Sequence, residues 1–223
     1  FYASVECVDR GLDPFTTNLV VADASKGKGA ICLAISPALK KLGIRNRCRL
    51  LEIPDDIKYI AAMPRMKKYM EKSAEIYGIY LKYVSKEDIL VYSIDECFLD
   101  VTTYLKLYNK SSKALAKMII DDVVKTTGIT ATVGIGTNLF LAKVALDITA
   151  KHSEDNMGYL DEELFKLTIW HHKPITDIWN VGPGIAKRLA KYGVYDLKGV
   201  SEMDEKILYK EFGVNAEYLI DHS

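Results

Sequence analysis

The spacing of apolar residues changes several times along the chain, and each change marks an element. Residues 1–10 carry Val5 and Val8 in a pattern that fits a short helix. NLVVADA (18–24) and AICLAI (30–35) are apolar runs of strand length, separated by the turn-prone SKGKG. Ser36 followed by Pro37 has the form of an N-cap and a first helical residue, and Gly43 ends that short helix. From Arg65 to about Val84, the residues Met66, Tyr69, Met70, Ala74, Tyr77, Leu81 and Val84 recur at helical spacing and predict one long amphipathic helix. DILVY and CFLDV predict strands on either side of an acidic pair, Asp95 and Glu96. Ser111 or Ser112 caps a further helix with Ala116, Ile119, Ile120 and Val123 as its stripe, and Gly128 stops it. ITATVGIG (129–136) alternates strictly and predicts a strand; NLFLAKVALDITAK (138–151) predicts a helix capped by Asn138. Beyond residue 160 strands give way to short helices, which places a domain boundary near Tyr159 to Leu164. No internal repeat or low-complexity tract interrupts the pattern.

Composition adds bounds. With 223 residues and 49% hydrophobic content, the chain can bury a core for one main domain and a smaller one. Thirty basic residues balance thirty acidic ones, so net charge argues neither for nor against a nucleic-acid partner; only local clustering can. Cys7, Cys32, Cys48 and Cys97 are scattered in apolar surroundings without metal or redox spacing, as expected for reduced core residues of a cytoplasmic protein. No run reaches the length of a membrane span and no signal peptide is visible. The chain begins at Phe1 rather than a methionine and reads as a fragment cut at both ends.

The acidic pair in VYSIDECFLDV (91–101) is the first chemical question. A buried carboxylate is costly, and two adjacent ones more so. In a continuous strand Asp95 and Glu96 would point to opposite faces, and one would enter the core. If the chain turns there, both converge at a hairpin tip. Two clustered oxygen donors suit a hard cation such as Mg2+; an ordinary solvated turn explains the same two residues. Asp100, four residues on, fits a strand-end or supporting role better than that of a ligand.

The wider context favours the first explanation. SIDECFLD (93–100) resembles the signature of the Y-family DNA polymerases, the translesion enzymes. FYASVE (1–6) resembles the segment after that family's first metal-binding aspartate, and KKLGIRNRCRLLEIP (40–54) its fingers segment. TATVGIGTNLFLAKVALDITAK (130–151) is similar to its second palm strand and helix, and IWNVGPGIAKRLAKYGV (178–194) to its thumb. The motifs cover essentially the whole chain in the family's order and come nearest to the UmuC-like members of Gram-positive bacteria.

The resemblance implies an α+β fold: a ferredoxin-like palm over 1–17 and 73–160, a fingers insertion over 18–72, and a small all-α thumb with a helix-hairpin-helix over 161–223. The family's first palm strand and its C-terminal little finger would lie outside this chain; the metal-binding aspartate of that strand falls four residues before the position of Phe1. It implies template-dependent DNA synthesis by two-metal nucleotidyl transfer from a dNTP to a primer 3′-hydroxyl during damage bypass and repair. The cofactor would be Mg2+ in two sites, with Mn2+ as a substitute. The partners would be primer-template DNA, dNTP and, through regions outside this chain, a sliding clamp.

Residue by residue, Asp95 is implied as a ligand shared by both metals. Glu96 binds or orients the metal that activates the primer hydroxyl. Tyr2 matches the steric gate against a ribose 2′-OH, and the amides of Phe1 and Tyr2 match contacts to triphosphate oxygens. Lys40 stands where many members carry an arginine, and holds a phosphate as a point charge rather than bidentately. The tyrosine common three positions earlier is Pro37 here, a departure within the triphosphate contacts. Lys151 matches the palm lysine that reaches the phosphates, although a helix-end lysine is also favoured there by the macrodipole. Lys143 is a weaker candidate for the same contact and fits a surface charge equally. Arg45, Arg47 and Arg49 fit either a solvated turn or contact with template or triphosphate.

NVGPGIAKRLAKYG has the form of a helix-hairpin-helix in which Gly182 and Gly184 allow a tight turn for a phosphate to approach, with Lys187, Arg188 and Lys191 as nearby cations. Trp170 and Trp179 fit packing rather than base stacking. Two other functions keep the same core chemistry in view. A nucleotidyl cyclase would share the metal carboxylates but has no need of a basic hairpin; a non-catalytic DNA-binding relative would have no need of Asp95, Glu96, Tyr2 and Lys151.

Overall fold

Leu19, Val20 and Val21 lack polar alternation because both faces of their strand are covered. In the computed structural model, which describes residues 1–223, they form β1 (Leu19–Val21). It pairs antiparallel with β2 (Ala34–Ile35) and parallel with β3 (Ile60–Ala62), in the order β2-β1-β3. Leu19 and Val21 enter a cluster with Ala3, Val5 and Cys7 of the helix α1 (Tyr2–Asp9) and with Tyr69. Val20 points the other way, into a cluster with Cys32, Leu39 and Cys48. This is the period-two projection of a doubly buried strand, and each such side chain contributes roughly 1.5–3 kcal/mol.

The strand expected over 30–35 is paired to β1 only at Ala34–Ile35. Ile31 instead bridges Arg49, and the Cys32 amide donates to the Cys48 carbonyl at 2.8 Å. The run changes partners midway, which divides the ladder. Ser36 caps α2 (Pro37–Lys41) as expected: its Oγ accepts from the Leu39 amide at 3.3 Å and from the Leu19 amide at 3.1 Å, tying the cap to β1. β3 carries no strand pattern in the sequence, since Ala61 and Ala62 add little apolar signal.

The long helix forms as α3 (Met66–Tyr80), but its buried face differs from the predicted stripe. Tyr69 and Ile79 are buried, whereas Met66, Met70 and Leu81 are exposed. The face turned inward is the one that brings Tyr69 to a buried acid on α1. β4 (Ile89–Val91) and β5 (Cys97–Leu99) form an antiparallel hairpin, followed by α4 (Thr102–Tyr108) and α5 (Ser112–Thr127). Ser111 is the α5 cap, accepting from the Ala114 amide at 3.2 Å. Gly128 ends the helix at φ 70°. Leu115, Ile119, Val123 and Thr127 line its buried side at intervals of four.

Glu6 is that buried acid, at 0% exposure. Arg65 grips it with two hydrogen bonds, Nε to Oε1 at 2.9 Å and Nη2 to Oε2 at 2.7 Å. The Tyr69 hydroxyl donates to Oε1 at 2.7 Å, and Arg10 donates to Oε2. Arg65 also reaches Asp9 at 2.7 Å, and Lys68 donates to the other Asp9 oxygen. Burial alone would push the Glu6 carboxyl up, but donation by Arg65, Tyr69 and Arg10 outweighs it and holds the group below the ordinary carboxylate range.

Internal contacts divide the chain into two units, Phe1–Thr130 and Ala131–Ser223. In the second, β6 (Val133–Gly136) pairs parallel with β7 (Met157–Leu160), and α6 (Leu139–Asp147) lies on β6. The glycines of VGIG explain this approach: a Cβ on Gly134 would stand 2.0 Å from the Ala142 carbonyl oxygen, and one on Gly136 would stand 2.2 Å from the Ala142 nitrogen. The strand expected from residue 129 starts only at Val133, whose amide finds the Asn156 carbonyl at 2.9 Å; Ile129 packs into the first unit's core. β7 lacked a clear sequence signal. The helix expected over 138–151 ends at Asp147, and a separate 3-10 turn covers Thr149–His152.

After Leu160 only helices follow, as expected: α7 (Glu162–Thr168), α8 (Pro183–Ala190), α9 (Leu197–Ser201), α10 (Glu205–Phe212) and α11 (Ala216–Asp221). Phe140, Leu141 and Val144 of α6 share one core with Leu189, Leu197 and Leu219, and both tryptophans pack against it. All four cysteines are free, and Cys7, Cys32 and Cys48 are buried. No helix is long and apolar enough to cross a membrane.

The acid brace predicts a pH dependence. Donation by Lys68 and Arg65 lowers the Asp9 carboxyl from 3.8 to about 2, and Glu6 is also lowered from 4.5. Groups depressed on folding stabilise fully above their ordinary pKa values, and that stability is lost as pH falls through the folded values. Thermal midpoints should therefore drop between about pH 5 and pH 2. Arg65→Ala should cost about 2–3 kcal/mol near neutral pH, because the buried Glu6 carboxylate loses two of its hydrogen bonds and keeps only those from Arg10 and Tyr69. It should also flatten the acid limb. An unchanged acid limb in that variant, followed by circular dichroism, would remove Glu6 and Asp9 from this role.

Candidate active site and nucleic-acid interface

Asp95 and Glu96 lie in the connection between β4 and β5, so the chain turns rather than running on as a strand. The Tyr92 and Ser93 amides both donate to the Glu96 carbonyl, at 3.0 and 3.1 Å, and close the turn. Ser93 Oγ donates to Asp95 Oδ1 at 3.0 Å. Asp95 is exposed and Glu96 half-buried; neither carboxylate enters the apolar core. Between Ser93 and Asp95, Ile94 packs on the cluster that also receives Phe1 and Tyr2. One apolar residue thus ties the acidic tip to the core on which the start of α1 also packs.

Charge supports that proximity. Asp95 and Lys40 both lie within electrostatic reach of the Phe1 backbone nitrogen. Lys40 is exposed in the last turn of α2. Pro37 is the first residue of that helix, so the departure from the family's tyrosine has a local structural use. Tyr2 is half-buried; its ring lies 5.8 Å from that of Phe1 and is stacked at 4.6 Å on Tyr69.

The two carboxylates offer only oxygen donors at a solvent-accessible tip, which fits one side of a Mg2+ site. No cluster of three or more His, Cys, Asp or Glu side chains suited to a metal forms in the chain. Asp100 does not join the pair: it accepts from the amide and hydroxyl of Thr102, at 3.0 and 2.6 Å, at the start of α4. Those hydrogen bonds lower its carboxyl pKa.

The remaining cations divide. Arg45, Arg47 and Arg49 are exposed around the buried Cys48, and Arg47 adopts φ 60°. Lys151 is exposed in the 3-10 turn of the second unit. Lys143 is not the surface charge its sequence suggested: it is 5% exposed and pairs with Asp147 at 3.3 Å.

At the expected hairpin, Gly182 is the N-cap of α8 with φ −84° and ψ 172°. Its backbone does not require glycine; the left-handed residue of the turn is Asn180, at φ 61°. What Gly182 and Gly184 do is leave open space, since a Cβ at either would meet nothing within 4 Å. The amides of Gly182 and Gly184 are correspondingly open to approach, while Pro183 between them has no N–H to offer. Lys187 and Lys191 are exposed on the same helix and its end. Arg188 is already engaged: its Nη1 donates to the Glu211 carbonyl at 2.6 Å, and its guanidinium lies 4.4 Å from the Phe212 ring centre. That holds α8 to α10 and removes Arg188 from the free cations.

Sequence reasoning missed Glu6, Arg65 and Tyr69 as neighbours of the site. The available signal was Glu6 itself, an acid between Val5 and Cys7 in a helix whose other inward residues are apolar.

The chain matches the model of the impB/mucB/samB family over residues 1–147. A Bacillus subtilis protein named for UV-damage repair, UvrX, is 33% identical over 100% of this chain and 52% of its own length. DNA polymerase IV 2 of the same organism is 31% identical over 98% of this chain and 52% of its own. The chain thus spans about half the length of these curated relatives. Among solved structures, DinB from Sulfolobus solfataricus superposes with a TM-score of 0.79 at 26% identity, over 99% of this chain and 63% of that one. The insertion ternary complex of Dbh DNA polymerase gives a TM-score of 0.83 at 25% identity, with the same coverage. The motifs, the mixed α+β architecture and these matches agree: the chain belongs to the impB/mucB/samB family, within the Y-family polymerases.

Proposed function

We propose that this chain is the catalytic portion of a template-dependent translesion DNA polymerase, which transfers nucleotides from dNTP to a primer 3′-hydroxyl during damage bypass and repair. The observation that carries this reading is the hairpin tip of Asp95 and Glu96, anchored through Ile94 to the core that holds Phe1 and Tyr2. A paired carboxylate beside an aromatic wall suits a nucleotide whose phosphates need a cation and whose sugar needs inspection. Membership of the family supports the same chemistry, as do relatives named as a polymerase and as a UV-damage repair protein.

In this reading Asp95 and Glu96 hold Mg2+, for which Mn2+ can substitute. Bound metal would stabilise charge on the attacking and leaving oxygens of an in-line transfer. Lys40 attracts the triphosphate, and the Phe1 and Tyr2 amides orient it. Lys151 is assigned to the phosphates by its motif alone. The Tyr2 ring occupies the space that a ribose 2′-OH would need. The α8 amides at Gly182 and Gly184, with Lys187 and Lys191, hold a DNA backbone phosphate without reading sequence; Arg188 contributes by fixing α8. The palm (1–17 and 73–160), fingers (18–72) and helix-hairpin-helix thumb (161–223) are the corresponding proposed divisions. Primer-template DNA and dNTP are the proposed partners, with a sliding clamp engaged by other parts of the full-length protein and the cytoplasm as the compartment.

Three outcomes are expected in the full-length protein. Asp95→Asn should lower primer extension with Mg2+ by roughly 10²–10³-fold while leaving the fold intact; extension at the original rate would defeat the metal assignment. Tyr2→Ala should raise ribonucleotide incorporation relative to deoxyribonucleotide, measured one nucleotide at a time, and an unchanged ratio would refute the gate. Lys187→Ala with Lys191→Ala should weaken duplex binding alike for all sequences and reduce the salt slope by about 0.9 for each lost phosphate contact. A loss confined to particular sequences would mean base readout instead.

A further inference from the structure

Tyr69 is a fully buried tyrosine, at 0% exposure, whose ring is spanned by two different contacts. One face meets the Tyr2 ring, with centroids 4.6 Å apart and planes inclined by 26°. The hydroxyl donates to Glu6 Oε1 at 2.7 Å. Glu6 cannot yield, because the planar fork of Arg65 holds both of its oxygens at 2.9 and 2.7 Å. A core position of this kind needs only an apolar ring or an aliphatic chain. A phenol there requires a buried acceptor, and that acceptor requires a cation. The phenol stays a donor at working pH, since burial first, with Glu6 adding to it, raises its pKa to about 12.

The arrangement has a mechanical consequence. A ring excludes a hydroxyl only if it does not recoil on contact, and a shift of about 1 Å in a positioned group changes rates by up to roughly 10²-fold. The stack on Tyr69 blocks recoil of Tyr2 in that direction, while the Glu6 hydrogen bond stops Tyr69 from sliding away in turn. The series Arg65–Glu6–Tyr69–Tyr2 therefore runs from a surface cation to the aromatic wall through groups that are each held at both ends.

We propose that Tyr69, braced by Glu6 and Arg65, is a positioning residue for sugar selection: it backs Tyr2 so that the ring resists a ribonucleotide's 2′-OH. The inference rests on the reading of Tyr2 as the gate and adds to it the group that makes the gate rigid.

The test is the ratio of kcat/KM for a ribonucleotide to that for the matching deoxyribonucleotide in the full-length protein. Tyr69→Leu removes the stacked ring and should raise the ratio by about tenfold. Tyr69→Phe keeps the ring but frees its far end, and should raise it by about threefold. In a Tyr2→Ala background neither change should move the ratio further, since the group they position is gone. A purely structural role would lower both nucleotides alike and leave the ratio unmoved. If Tyr2→Ala does not alter the ratio, the gate reading fails before this one is reached. If Tyr2→Ala raises it and Tyr69→Leu, correctly folded, does not, the buttress is overturned. Should Tyr69→Leu not fold, Tyr69→Phe decides alone: an unchanged ratio overturns the proposal and a raised one supports it.

Discussion

A carboxylate with no solvent exposure sets the terms for the first unit. Glu6 lies on α1, and its donors are Arg10, which ends α1, Arg65, which precedes α3, and Tyr69 within α3. Leaving any buried oxygen unpaired would be costly, so the helices have little freedom to slide or rotate relative to each other. That constraint explains why α3 turns Tyr69 and Ile79 inward and leaves Met66 and Met70 exposed. It also fixes the start of α1, where Phe1 and Tyr2 stand. An apolar contact would have bound the helices with comparable strength, but hydrogen bonds with direction also fix their register.

Around that brace the candidate site is assembled from short pieces. The hairpin between β4 and β5 supplies the two acids, and its turn is closed by backbone hydrogen bonds to Glu96. Ile94 then binds the tip to the cluster beneath Tyr2. The acids remain in contact with water while the residue between Ser93 and Asp95 is used for packing. A hairpin tip solves the difficulty of placing two adjacent carboxylates near a core, because only the intervening backbone needs to approach it.

The basic residues show how poorly side-chain type alone predicts use. Lys143, Arg188 and Lys187 occur in similar helical contexts. Lys143 is drawn inward to Asp147, Arg188 ties α8 to α10, and Lys187 remains exposed. Each outcome depends on which helix face the neighbouring glycines and leucines commit to packing. At VGIG the missing side chains admit the backbone of α6 itself; at Gly182 and Gly184 the same absence leaves open space. Identical residues thus serve packing in one place and accessibility in another.

Local chemistry was legible in the sequence wherever one residue decides the backbone. Ser36, Ser111 and Asn138 cap their helices as expected, Gly128 ends α5, and SIDE marks a turn between two strands. The order of motifs likewise carried the family, and with it the roles proposed for Asp95, Glu96 and Tyr2. Partner choice was not legible. The strands at 30–35 and 129–136 are shorter than their apolar runs because pairing ends where the partner ends, and β3 and β7 are strands mainly because a neighbour offers hydrogen bonds. The sequence by itself determined caps, turns and which chemical groups the candidate site offers, since these follow from neighbours along the chain. Only the tertiary structure decided which helix face is buried, which cations remain free and that Tyr69 backs Tyr2, since those depend on groups up to 67 positions apart meeting in space.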